Sequence, residues 1–353
     1  MTWDPAEFRA AVQVELDAFV AEQSRRLAPL GADADQLVLA AHEAVRGGKR
    51  FRASFCHWGY RAVRDDVPDP PALVRAAAAL ELLHASALVH DDYMDASATR
   101  RGRPATHTMF EARHRELGWS GSPQQYGAAA AILLGDLLLS WADELLRRSG
   151  FPHDVVRDAL TVFDHTRSEV IAGQFLDVSV QARGESDVEL AMKVLRYKSA
   201  KYSVERPLHV GAALAGADES LLAELSAFGL PLGEAFQLRD DLLGVFGDPA
   251  ATGKPAGDDL TEGKRTVLVA LALDAAPADE AARLQAGLGR ELSMREVAEL
   301  RGVIERSGAA ADVEGRIHTL TEEALVALET ARFAEPARAA LRQLADAVTQ
   351  RVH

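Results

Sequence analysis

A chain of 353 residues with 48% apolar side chains can build a sizeable core, and its net charge of -14, with a pI near 5.3, argues against a general binder of nucleic acid or of anionic membranes. Any phosphate site must then be a local basic pocket. The single cysteine, Cys56, excludes an intramolecular disulfide; the start "MTWDPAEFRAAVQVELDAF" lacks a basic n-region and an apolar h-region, and no run reaches about eighteen uncharged apolar residues, so a cytoplasmic protein with no membrane span is expected.

In chain order the recurring period is helical. "DPAEFRAAVQVELDAFV" sets Asp4 as a cap, Pro5 in the first turn and Glu7 three residues after the cap, then spaces Phe8, Val12, Leu16 and Phe19 along one face. The same reasoning predicts helices over roughly 34–46, 50–63, 71–95, 106–117, 124–149, 153–182, 187–216, 218–246, 264–275 and 293–306, with helix to the C-terminus. "DDVPDPP", "GWSGSP", "SGFP" and "GDPAATGKPAGDD" separate them, and strand signals are almost absent. The expected fold is an all-α helical bundle forming a single domain over 1–353, with a motif-bearing core at about 40–275 and outer helices at about 276–353.

Charge of both signs gathers in "LVHDDYMDASATRRGRPATH", where Asp91, Asp92 and Asp95 precede Arg100, Arg101 and Arg103. Asp91 and Asp95 lie four residues apart at the end of a predicted helix, one turn apart on one face and at the negative end of its dipole. A divalent cation removes that penalty, and carboxylate oxygens that leave positions for water and phosphate suit magnesium. A lone DDxxD is equally compatible with a solvated acidic helix end. A second stretch, "EAFQLRDDLLGVFGDPAATGKPAGDDLTEGKRT", again ends an apolar helix with paired aspartates, Asp240 and Asp241, followed by Lys254, Asp258, Asp259 and Lys264. "RGGKRFR" adds Lys49, Arg50 and Arg52 beside two glycines. Two acidic pairs with separate basic clusters match the needs of one metal-bridged diphosphate and a second, metal-free one.

Taken in order, "GGKRFR", "ELLHASALVHDDYMD", "RRGRPATH", "GDLLLS", "GQFLDV", "YKSAKYS", "FQLRDDLLGVFGDP" and "TGKPAGDDLTEGKRT" resemble the trans-isoprenyl diphosphate synthases, or polyprenyl synthetases. The resemblance implies an isoprenoid synthase-type fold around a deep central cavity, a homodimer, and extension of an allylic diphosphate (dimethylallyl, geranyl or farnesyl) by isopentenyl diphosphate. It makes Asp91 and Asp95 magnesium ligands supported by Asp92, and Asp240 the ligand of a third magnesium, with Asp241 and Asp259 in support. Arg100, Lys198, Lys254 and Lys264 would grip the allylic diphosphate; Lys49, Arg52, His84 and Arg101 would bind isopentenyl diphosphate. Gln237, Ser199 and Gln174 would stand near the reacting carbon. Product length would be set by the small Ser86 and Ala87, where an aromatic closes the pocket early in the resembling family, and by Leu83, Leu80 or Trp141 beyond them. Geranylgeranyl diphosphate is the expected product, with longer polyprenyl or farnesyl diphosphate as alternatives.

One departure stands out: Gly244 replaces the third aspartate of the second motif, "DDLLG", and little loss is expected because Asp259 can organise metal-bound water. A class I terpene cyclase is disfavoured because its second metal motif contains Asn and this chain has none. A His-Asp phosphohydrolase using His90 and Asp91 would leave the basic clusters unexplained, and an intact first motif argues against a noncatalytic partner subunit. Asp177 is expected to bond between helices, and Cys56, Trp58 and Trp119 to pack.

Overall fold

Asp4 caps the first helix, α1 (Pro5–Leu27), as its spacing predicts: its carboxylate accepts from the amides of Ala6 at 2.8 Å and Glu7 at 3.3 Å. Phe8, Val12, Leu16 and Phe19 are all buried. The computed structural model describes residues 4–248 and 257–350. After a 3-10 turn come α2 (Ala32–Ala44), α3 (Phe51–Val63) and α4 (Pro70–Met94). A short antiparallel hairpin, β1 (Thr99–Arg100) with β2 (Arg103–Pro104), leads to α5 (Thr106–Glu116), α6 (Pro123–Arg147) and α7 (His153–Arg183). Then follow α8 (Val188–Leu195), a π-helical segment (Arg196–Glu205), α9 (Arg206–Leu214) and α10 (Glu219–Phe246). Finally come α11 (Asp258–Glu262), α12 (Val267–Ala275), α13 (Ala278–Gly287), α14 (Met294–Arg306), α15 (Ala309–Thr330) and α16 (Glu335–Thr349). The all-α class is the one expected.

The short α11 begins inside "GDPAATGKPAGDD", where a breaker is expected, and two further elements differ from the sequence-based expectation. The segment 187–216 is not one regular helix, because its middle ten residues take the wider π spacing, which a search for 3.6-residue periodicity does not detect. The hairpin was also unforeseen. Its two-residue loop, Arg101 and Gly102, has φ of 52° and 71°, the positive pair of a type I′ turn, in which arginine is an uncommon occupant.

The contacts group the chain into two compact units. The first comprises the described residues of 1–162 and 207–217. Its central helix is α4, packed on α1, α3 and α6, with Leu73, Ala76 to Ala79, Leu80 and Leu82 buried. By length and composition α4 could cross a membrane, with mean hydropathy 1.6 over its most apolar window, but 72% of that window is buried as in a core helix. Gly59 and Gly211 let α3 and α9 touch backbone to backbone: a Cβ on either would overlap the carbonyl of Leu208 or Cys56. Burial raises the Cys56 thiol to about 12, so it packs as an inert apolar side chain.

The second unit comprises the described residues of 163–206 and 218–353. Here α10 is the hub, lying against α15 and the π segment, with Leu238, Leu242, Val245, Leu260, Leu268 and Ile304 in its core. Gly233 has no side chain because a Cβ would stand 2.5 Å from the Ala200 carbonyl oxygen of the π segment.

Candidate active site

In the first unit His84, Ala87, Leu88, Asp91 and Asp95, all half-buried near the end of α4, recur at helical spacing and form one stripe. Asp92 falls off that stripe and is buried. The hairpin returns Arg100 to it: Arg100 Nε donates to Asp92 Oδ1 at 2.8 Å, Nη2 donates to the same oxygen, and Nη2 also lies 3.7 Å from Asp91 Oδ2. One of the cations that three crowded aspartates require therefore comes from five residues downstream of the motif.

Beside this acidic end lies a basic wall. Gly47 and Gly48, with φ of 66° and 93°, turn the loop after α2 so that Arg101 Nη1 donates to the Arg46 carbonyl at 3.0 Å. A Cβ on Gly48 would press on the Arg101 guanidinium, at 3.1 Å from Nη2. Lys49 is exposed on that loop, and Arg52 is half-buried at the start of α3. Enclosure, and then the charges of Arg52, Arg101, Arg100 and Arg50, hold His84 well below the ordinary imidazole range. A neutral imidazole among arginines can still donate a hydrogen bond to an anion.

Arg50 does not join the phosphate donors suggested by "RGGKRFR". It is buried, pairs with Glu81 Oε2 at 3.1 Å and donates to Gln13 Oε1 at 2.6 Å, while Glu81 Oε1 accepts from the Ala53 amide at 3.1 Å. Glu81 thus anchors the basic loop. Sequence reasoning passed over it, although a glutamate inside the apolar run of α4 is itself a sign that a buried cation arrives.

The residues expected to govern product length differ among themselves. Ser86 is buried and its hydroxyl donates to the Gly135 carbonyl of α6 at 2.7 Å. Ala87 is half-buried on the stripe, Leu80 and Leu83 are buried, and Trp141 packs edge-on against Phe19 with ring centroids 6.0 Å apart.

In the second unit, the bare Cα of Gly173 on α7 admits the backbone of Lys198, whose ammonium reaches Asp177 Oδ2 at 2.5 Å. Ser199 is buried next to it on the π segment, and Gln174 is half-buried on α7. On α10, Gln237 Nε2 donates to Asp241 Oδ1 at 2.8 Å. Burial raises Asp241 to about 7; Asp259 and Asp240 add to the rise, while Gln237 and Lys264 oppose it. Asp240 is half-buried beside it. Lys264 pairs with Glu262 at 2.6 Å and with Asp259 at 3.4 Å. Lys254 lies outside the described residues.

Among the described residues, no three carboxylate, imidazole or thiolate groups converge to cage a metal. Asp91 and Asp95, a turn apart, offer hard oxygens from one helix face. Such a donor set fits an ion that keeps waters and takes its other ligands from phosphate, as magnesium does, better than one that needs an all-protein shell.

Comparison with known proteins gives these motifs their context. The polyprenyl synthetase family model matches residues 35–304. The short chain isoprenyl diphosphate synthase of Methanothermobacter thermautotrophicus is 34% identical over 315 residues, covering 88% of this chain and 89% of that protein. The geranylgeranyl diphosphate synthase of Mycobacterium tuberculosis is 36% identical over 65% of this chain and 60% of its own. Among solved structures, the geranylgeranyl pyrophosphate synthase of Corynebacterium glutamicum, complexed with isoprenyl diphosphate and magnesium, superposes with a TM-score of 0.96 at 40% identity, covering 99% of this chain and 100% of that one. With two carboxylate-tipped helices, a basic wall beside one of them and a family match over most of its length, the chain belongs to the polyprenyl synthetases, a family of prenyl-transferring enzymes.

Proposed function

We propose that this trans-prenyltransferase condenses isopentenyl diphosphate with an allylic diphosphate in a magnesium-dependent reaction and makes geranylgeranyl diphosphate. One observation carries the reading. A single face of α4 bears His84, amid Arg52, Arg100 and Arg101, and seven residues later the carboxylate pair Asp91 and Asp95. Seven helical residues rise roughly 10 Å, which separates a metal-free anion pocket from a metal-holding end along one rigid element.

In this reading Asp91 and Asp95 hold magnesium, and Asp92 supports them by fixing Arg100. Asp240 holds a further ion with Asp241 and Asp259 in support, for three per active site. Bound magnesium supplies positive charge to the departing diphosphate. Arg100, Lys198 and Lys264 hold the allylic diphosphate, Lys198 exchanging its Asp177 partner for a phosphate oxygen. Lys49, Arg52, Arg101 and neutral His84 hold isopentenyl diphosphate. The oxygens of Gln237, Ser199 and Gln174 face the carbon on which positive charge grows, and the isopentenyl double bond attacks that carbon. The proton lost in the last step goes to pyrophosphate, so no side-chain base is required. The small Ala87 leaves room for a lengthening chain beside α4. The exposed apolar Ile132 and Leu133 on α6 support a homodimer, and the soluble diphosphate substrates support a cytoplasmic location.

The test is to incubate the purified chain with magnesium, labelled isopentenyl diphosphate and, in turn, dimethylallyl, geranyl and farnesyl diphosphate. Geranylgeranyl diphosphate is expected as the dominant product. A farnesyl or longer product would refute the chain length, and no elongation of any primer would refute the reaction.

A further inference from the structure

The position where the second acidic motif lacks an aspartate is not simply vacated. Gln237, Asp241 and Gly244 lie on one face of α10, at helical spacings of four and three. A Cβ on Gly244 would stand 2.5 Å from Asp259 Cγ and 3.0 Å from Oδ1, with Oδ2 nearer still. The Asp259 carboxylate therefore lies directly on the bare Cα of Gly244. Glycine is not needed there for conformation, because Gly244 does not have the positive φ that favours it, and inside a helix it is a poorer choice than alanine.

The backbone of Asp259 cannot readily retreat. Its short helix α11 is bounded by Gly257 and Gly263, with φ of 74° and 78°. It is seated by the fully buried Leu260 and tied by the Lys264 amide to the Asp259 carbonyl and by the Gly289 amide to the Leu260 carbonyl, both at 3.0 Å. A side chain at 244 would thus displace the Asp259 carboxylate by rotation and leave the fold in place. We propose that Gly244 is a positioning residue: its bare Cα seats the Asp259 carboxylate beside Asp241, so that the acidic end of α10 receives its third carboxylate from α11. The inference rests on the supporting role toward magnesium assigned to Asp259 above.

The test compares Gly244→Ala, Asp259→Ala, the double variant Gly244→Ala with Asp259→Ala, and the swap Gly244→Asp with Asp259→Ala. Three quantities are read: the Tm of the metal-free protein, the rise in Tm produced by magnesium with inorganic pyrophosphate, and the magnesium concentration for half-maximal turnover. Gly244→Ala is expected to keep or raise the metal-free Tm while raising the half-saturating magnesium concentration about tenfold, the lower end of what losing an outer-shell partner costs. It should also shrink the magnesium-induced rise in Tm. Asp259→Ala should match it, the double variant should be no worse than Asp259→Ala, and the swap should recover part of the loss. If Gly244→Ala lowers the metal-free Tm, adding Asp259→Ala should restore it, because the clash is with that carboxylate. Wild-type magnesium dependence in Gly244→Ala beside an impaired Asp259→Ala would overturn the positioning role alone. Wild-type dependence in Asp259→Ala would overturn it together with the supporting role of Asp259.

Discussion

Arg50 and Arg52 stand two residues apart in the same basic run, yet the structure gives them different work. Arg50 is buried against Glu81, so removing its charge strands a carboxylate inside the unit; Arg52 borders His84 and the other cations of the wall. Arg50→Ala is therefore expected to cost about 3–5 kcal/mol of stability, as when one partner of a buried pair is deleted. Arg52→Ala should leave Tm close to wild type and raise the KM for isopentenyl diphosphate about tenfold or more, the worth of a hydrogen bond to a charged group. Thermal denaturation and steady-state kinetics on the two variants separate these outcomes. The two roles were not legible in "RGGKRFR", because which arginine turns inward depends on the left-handed backbone at Arg50 and on a glutamate thirty-one residues later.

At the scale of elements, α4 combines a packed face with a half-buried stripe, and its neighbouring small residues fall on different sides. Ser86 is locked to α6 through the Gly135 carbonyl, whereas Ala87 is half-buried on the stripe that leads to Asp91. Ser86→Phe is expected to overpack that contact and lower stability by about 1–3 kcal/mol. Ala87→Phe should remain folded and shorten the dominant product by at least one isoprene unit, as read by chromatography of the dephosphorylated products. A folded Ala87→Phe with an unchanged product would move the floor of the pocket elsewhere. Helices α1, α4 and α6 were legible because caps, prolines and apolar periodicity agree along them, and α10 from its Asp218 cap and long apolar run in spite of the internal Pro231. The π turn at Arg196–Glu205 and the hairpin at Thr99–Pro104 were not, since i+5 bonding and an Arg-Gly turn leave no periodic or compositional trace. Both carry residues assigned to the substrates: Lys198, for the allylic diphosphate, and Ser199, for the reacting carbon, on one, and Arg100, for the allylic diphosphate, on the other.

At the scale of the whole molecule, an acidic chain with a net charge of -14 nonetheless gathers Arg52, Arg100 and Arg101 around His84 as a local basic wall. The acidic pairs were legible because aspartates gathered at a helix end, four residues apart at Asp91 and Asp95 and adjacent at Asp240 and Asp241, are a local pattern. What the sequence could not show was the partnering of those charges: Asp92 with Arg100, Lys198 with Asp177, and Asp259 over Gly244. Each joins separate elements. The central claim is that metal held by Asp91 and Asp95 drives the ionisation of an allylic diphosphate. It is tested most directly by measuring incorporation of labelled isopentenyl diphosphate, with magnesium and farnesyl diphosphate, by the wild-type chain and by Asp91→Ala and Asp95→Ala, with circular dichroism to verify folding. The account predicts that each folded variant loses at least two to three orders of magnitude in turnover, about 3–4 kcal/mol of transition-state stabilisation; near-normal product formation by folded Asp91→Ala would contradict it.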